Sequence, residues 1–355
     1  SGFKSFPAVS GTATDGMGST DAGIVRSTYV HVAIQRLDDL RCWTGVNWKA
    51  APCHPEWNQA SFTGSSSGTW NYSNVPTGSY VDSGVRYLVI ARAIDNTLPY
   101  QGNTQTVFTA GVSSSAFFVD NDSATVQINF PYNGAQRNAL AITSGTITDD
   151  FSGAKEAVIN LTYLAAGDTW YWDGVLWSSS SAAGYSRSVT APAGTVGALS
   201  STWSYTGLPA SWTDGRIYKI TARGSDVTGN VQETGYPSVS WLYDASAPTA
   251  AVSVPVSDGV YYSPSSPLDV ISGTAIDVST PAYANVDEVQ VMIKIEATSR
   301  YWTGSSWTAT ETWISSAGWS GQSVSWSVPK ATCPEQGASD WCDNTRYSIY
   351  ARAYD

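Results

Sequence analysis

The chain has little charge, little histidine and no stretch that reads as a helix. Charged residues make up 13% of its 355 positions and histidine occurs twice. No apolar pattern is sustained at i, i+3, i+4, i+7, and no apolar run approaches the ~18 residues that a spanning helix needs, so no membrane span is expected in this segment. With 18 basic against 29 acidic side chains the formal charge is −11. That balance repels a phosphate backbone and removes nucleic acid from the expected partners. Catalysis is not expected either. His31 falls on the outward side of a strand with no acid or nucleophile beside it, and the Gly-x-Ser strings lack a strand-to-helix elbow.

Cysteine is scarce as well. The four residues form two local pairs, Cys42 with Cys53 and Cys333 with Cys342, eleven and nine positions apart. Neither spacing is that of a zinc site. Two short-loop disulfides are therefore expected, with four buried free thiols as the alternative. Disulfides imply an oxidising compartment, so the segment is expected to be extracellular, at the cell surface or secreted. The opening Ser1-Gly2-Phe3 is no signal peptide, and the start of the gene product is expected elsewhere.

What the chain does contain is 16 Trp, 20 Tyr and 31 Gly among many Ser and Thr, a composition of short strands and tight turns. These residues recur in three copies. SGTATD at 10–15 returns as SGTITD at 144–149 and SGTAID at 272–277; CWTGVNW at 42–48 returns as YWDGVLW at 171–177 and YWTGSSW at 301–307. RYLVIARAID, IYKITARGSD and RYSIYARAYD close the three copies, and their arginines Arg92, Arg223 and Arg352 lie 131 and 129 residues apart. A period of about 130 residues makes each copy one domain.

Alternation places Tyr87, Val89 and Ala91, with Tyr218, Ile220, Ala222 and Tyr347, Ile349, Ala351, on the core face of one strand. Turn pairs such as Asp173-Gly174 make hairpins that bring Trp43 to Trp48, Trp172 to Trp177 and Trp302 to Trp307. An aromatic residue and an aspartate precede each strand tyrosine, the arrangement of the tyrosine corner in an immunoglobulin-type sandwich. The expected fold is all-β: about three tandem immunoglobulin-like β-sandwiches at 1–119, 120–243 and 244–355. The first is expected to lack its first strand and the third its last.

The order D-x-S-A-P-T, SGTAxD, a V-x-V-x-I strand, TWxY, and YxIxARAxD followed by Gly229-Asn230 resembles the bacterial immunoglobulin-like (Big-type) tandem repeats of large cell-surface or secreted proteins. The resemblance covers nearly the whole chain. It implies a non-catalytic structural or adhesive segment, acting as stalk or fibre and partnered by neighbouring repeats or like subunits. The YWxGxxW hairpin and the two cysteine pairs depart from the general pattern.

Two residue sets are candidate sites. The recurrent tryptophans fit core or cross-strand packing, with a repeat arginine stacked over them. Trp313 and Trp319, in a loop of the third repeat without equivalents elsewhere, are the candidates for stacking on a cell-surface glycan; such binding would fit an accessory region of a secreted polysaccharide-degrading enzyme, the alternative function. No cofactor is required, but calcium is a candidate at the domain junctions. Linker residues Asp120, Asp122 and Asp244 are expected to meet the strand-end residues Asp149, Asp226 and Asp277, where several carboxylates converging need a cation or else are ordinary solvated turn residues.

Overall fold

The computed structural model describes residues 2–15, 29–53, 55–95, 103–179, 189–263, 265–278, 285–316, 321–333 and 340–355. The described residues form strands and one short 3-10 turn, Gly78–Tyr80. They make three β-sandwiches in a row, each pairing a three-stranded sheet with a larger one.

The second repeat shows the plan. Its small sheet runs Thr125–Phe130, Thr143–Thr148, Ser200–Tyr205, all antiparallel. Its large sheet runs Ala135–Arg137, Ser238–Tyr243, Arg216–Asp226, Ala154–Ala165, Asp168–Trp172, Trp177–Ser179, with Val189–Pro192 also on Ala154–Ala165. A register shift between Ile128 and Phe130 leads the chain out of the small sheet, and Ala135–Arg137 then pairs in parallel at the far edge of the large one. Sequence alternation does not foretell so short a strand. Between the sheets lie Ile147, Ile159, Leu161, Tyr218, Ile220, Trp203 and Trp241, at most 2% exposed. Each such large side chain removed from water stabilises the fold by roughly 1.5–3 kcal/mol.

The SGTxxD and TWxY blocks recur because they meet. Gly11 lies opposite Trp70, Gly145 opposite Trp203 and Gly273 opposite Trp326. A Cβ on these glycines would come within 2.8, 2.8 and 2.5 Å of the indole rings. Each indole N–H donates to the carbonyl one residue after that glycine: Thr12 at 3.3 Å, Thr146 at 3.2 Å and Thr274 at 3.1 Å. A buried tryptophan thus finds both room and an acceptor on the neighbouring strand.

The tyrosine corner is present three times. The main-chain N–H of Asp82 donates to Tyr87 Oη at 3.1 Å, that of Thr213 to Tyr218 at 2.9 Å and that of Cys342 to Tyr347 at 2.9 Å. The hairpin tryptophans pair across their turns with ring centroids 5.2, 5.5 and 5.3 Å apart. Both disulfides form, Cys42–Cys53 beside the first hairpin and Cys333–Cys342 at the third corner.

The outer repeats vary the plan. In the first, Gly2–Phe3 pairs in parallel with Ser114–Val119, as Ala135–Arg137 does with Ser238–Tyr243. Its small sheet, Val9–Thr14, Ser67–Tyr72 and Ser61–Gly64, has no described strand in the place of Thr125–Phe130. In the third, Tyr347–Tyr354 pairs with Glu288–Ile295 and with no other described strand.

Candidate metal centres at the repeat junctions

Each junction is built from three chain segments that end strands. At the first, Asp120 follows Ser114–Val119 in the linker, Asp149 follows Thr143–Thr148, and Asp226 closes Arg216–Asp226. Thr143–Thr148 lies in the small sheet and Arg216–Asp226 in the large one, and both end at the pole of the second repeat where the linker enters. All three carboxylates are buried, Asp120 and Asp226 completely and Asp149 to 5% exposure. Oxygens of the three lie within 4.8 Å of one another. Among the described residues none of the three forms an ion pair with lysine or arginine.

Main-chain amides hold the group open. Asp149 accepts the N–H of Phe151 at 3.2 Å and of Gly153 at 2.6 Å. Asp226 accepts those of Gly229 and Asn230, both at 2.7 Å. Asp120 spans the junction, accepting from Ser83 Oγ of the first repeat at 3.3 Å and from the Ser152 N–H of the second at 2.9 Å. Burial pushes the Asp149 carboxyl above the ordinary carboxylate range against the pull of the Gly153 and Phe151 amides, and the charges of Asp120 and Asp226 push it further.

Asn230 completes the centre. Its Nδ2 faces Asp120 O at 2.8 Å, Asp122 O at 3.0 Å, Asp226 Oδ2 at 2.7 Å and Thr228 Oγ1 at 2.9 Å. An amide nitrogen has two protons for these four oxygens, so Asn230 satisfies at most two of them at a time. This residue was visible in the sequence only as the Gly-Asn pair after the arginine strand.

The second junction repeats the design with Asp244, Asp277 and Asp355, whose oxygens also lie within 4.8 Å of one another. Asp244 and Asp277 are buried and Asp355 is exposed. Here the corner aspartate of the preceding repeat reaches the linker: Asp214 accepts the Ala245 N–H at 2.6 Å and the Ser246 hydroxyl, which hold its carboxyl below the usual range. At the first junction the equivalent Asp82 turns instead to Arg36, and Ser83 takes its place beside Asp120.

Chemically these are hard, oxygen-only centres. Oxygens on opposite sides of an ion at ~2.4 Å are ~4.8 Å apart, the calcium range, whereas zinc and copper draw nitrogen or sulfur ligands that neither centre has. Asp120, Asp149 and Asp226, with main-chain carbonyls of the linker, fit calcium. The carboxylate of Asp122 does not join them: it is exposed, and only its carbonyl faces the cage.

The aromatic candidates are placed otherwise than their sequence suggests. Trp313 is half-buried, its indole N–H donates to Glu311 at 3.0 Å, and the Arg352 guanidinium lies 4.0 Å over its ring. It also has an equivalent. Trp57 is stacked by Arg92 at the same 4.0 Å, and the residues after each, Asn58 and Ile314, pair with the corresponding Val32 and Val291. The equivalence is hidden in sequence because the loop from the hairpin differs in length. Among the described residues the repeat arginines Arg92 and Arg352 thus cover these rings and not the hairpin tryptophans. Trp319 lies outside the described residues.

No protein-family model matches the chain, and no curated protein sequence matches it. Among solved structures, the FN1-FN3 domains of chicken CNTN1 share 14% identity over 98% of this chain and 89% of that one, with a TM-score of 0.28. A 1.5-MDa bacterial ice-binding adhesin shares 14% over 93% of this chain and 86% of that one, with a TM-score of 0.30. A Ca2+-stabilized adhesin of an Antarctic bacterium shares 14% over 98% and 68%, with a TM-score of 0.25. No inference about ligand or partner follows from likeness this low.

Proposed function

We propose that the chain is a non-catalytic structural and adhesive segment of a large extracellular bacterial surface protein, with repeats of the bacterial immunoglobulin-like type, in which calcium at each junction stiffens the row into a stalk. One observation carries this reading: among the described residues, Asp120, Asp149 and Asp226 are buried together without a cationic side chain paired to them. Three ionised groups in that position cost several kcal/mol unless a cation shares them. Their origin supports the mechanical role, since the linker supplies one ligand and the following repeat two, so a bound ion ties linker to domain. Two disulfides support an oxidising, extracellular setting.

Thermal melting tests the reading. In millimolar calcium the chain melts higher than in chelator, magnesium reproduces little of the gain, and Asp226→Asn abolishes the part due to the first junction. Equal melting with and without calcium overturns the metal, leaving the aspartates as turn residues.

A further inference from the structure

The outer face of the large sheet in the second repeat is concave, and neither the two acidic centres nor the arginine-stacked tryptophans belong to it. It opens over about 1080 Å³ and is lined along Arg216–Asp226 by three cations: Arg216, which lies 4.2 Å over the ring of Tyr163, and Lys219 and Arg223. Among the described residues neither Lys219 nor Arg223 has an ion-pair partner. The one carboxylate on the lining, Asp214, is engaged with Ala245 and Ser246 of the linker. In a chain of net charge −11 this is a basic groove.

The groove carries its cations beside aromatic rings. Thr162 pairs with Lys219 on one side and with Tyr171 on the other, so Lys219 and Tyr171 share a row two strands, or ~10 Å, apart. Four residues along, ~13 Å by strand rise, Arg223 lies level with Tyr236: the Pro237 carbonyl accepts the Ala222 N–H at 3.2 Å, which sets Tyr236 beside the next residue. Neither tyrosine ring is stacked on another described ring or cation, and Tyr236 is 43% exposed. Between the two stations the floor is Asn160 and threonine. Among the described residues Asn160 Oδ1 is enclosed with no donor.

We propose that this groove binds an acidic polysaccharide, with sugar rings over Tyr171 and Tyr236 and uronate carboxylates at Lys219 and Arg223. The rings flank the cation-bearing strand on opposite sides, so a polymer crossing it obliquely meets a ring at each end and the two cations between them, matching apolar sugar faces and carboxylates on one chain. A flat protein partner would leave a hollow of this size unfilled. The chain's overall negative charge does not prevent it, because fields beyond ~8–10 Å are screened at physiological salt while the groove acts at contact.

The test uses the whole chain at fixed free calcium, with tetragalacturonate and its methyl ester as probes and isothermal titration as the readout. The acid should bind at least tenfold tighter than the ester. Lys219→Ser, at an exposed side chain, and Arg223→Ser, at a half-buried one, should each weaken the acid about tenfold, Lys219→Ser with unchanged melting, and Tyr171→Ala should weaken acid and ester alike. No binding to wild type at millimolar probe overturns the proposal. So does equal binding of acid and ester, binding that survives in the Lys219→Ser/Arg223→Ser double variant, or a self-association of the chain that this double variant removes, which would make the face a contact between copies.

Discussion

Gly84 of the first repeat is packed against the ring of Phe151 in the second so closely that no Cβ fits between them. Gly84 belongs to the corner before Arg86–Ala93, and its N–H donates to Val119 O at 2.7 Å; Phe151 belongs to the loop whose amides hold Asp149. The contact therefore sets one domain directly on the turn that shapes the acidic centre of the next. Gly84 also has φ of +75°, where alanine costs about 1 kcal/mol before any clash. Gly84→Ala should lower the stability of the segment by more than that, and Gly84→Ala with Phe151→Ala should show a coupling that relieves the excess. A double-mutant cycle by thermal denaturation measures it; strict additivity would mean the ring does not bear on the glycine.

His31 and Gln290 occupy one position in two repeats, each opposite the repeat arginine, Arg92 or Arg352. Gln290 Oε1 accepts from Arg352 Nε at 2.9 Å and Nη2 at 2.7 Å. Among the described residues the enclosed His31 Nδ1 and Arg92 Nε have no hydrogen-bond partner. Burial, and then the Arg92 charge, lower the His31 pKa below its usual value of about 6.5. Below that pH the unfolded chain takes up a proton that the folded one refuses, so this contribution to stability is present above about 6.5 and is lost as pH falls toward the folded value. His31→Gln should raise stability at neutral pH by about 1 kcal/mol, by supplying the bond seen in the third repeat, and should flatten the acid slope. Denaturant titrations at several pH values decide it; parallel pH profiles for the two proteins would contradict the account.

The tyrosine corners give a smaller, cleaner expectation. Tyr218 is 1% exposed and its oxygen receives the Thr213 N–H. Tyr218→Phe keeps the ring in the core and leaves that amide to find another acceptor, a loss of about 1 kcal/mol, up to ~3 if the amide stays dry. Chemical denaturation of the variant measures it, and an unchanged midpoint would show the corner to be held by packing alone.

These corners and the hairpin tryptophan pairs were legible in the sequence because each depends on a short spacing repeated three times, whereas the glycine under each TWxY tryptophan was not, since the two blocks meet only across strands. The meeting of Asp120, Asp149 and Asp226 was legible for a related reason: strand ends at one pole can be assigned once strand order is known. Trp57 was missed as the partner of Trp313 because a loop of different length breaks the spacing while strand pairing preserves the position. Asp122 was included because a linker carboxylate looks like any other until its side chain is seen to face water. The groove on the second repeat left no trace, since Lys219 and Arg223 read as ordinary outward residues and their relation to Tyr171 and Tyr236 exists only across strands.

The measurement closest to the central claim is small-angle scattering of the segment in chelator and in millimolar calcium, with calcium stoichiometry by equilibrium dialysis on the same samples. One ion at each of the two acidic clusters should bind, and the maximum dimension should settle to a single extended value as the junctions lock. Asp226→Asn should remove one ion and restore part of the flexibility. Scattering that is identical with and without calcium, with no bound ion, would contradict the account of these junctions.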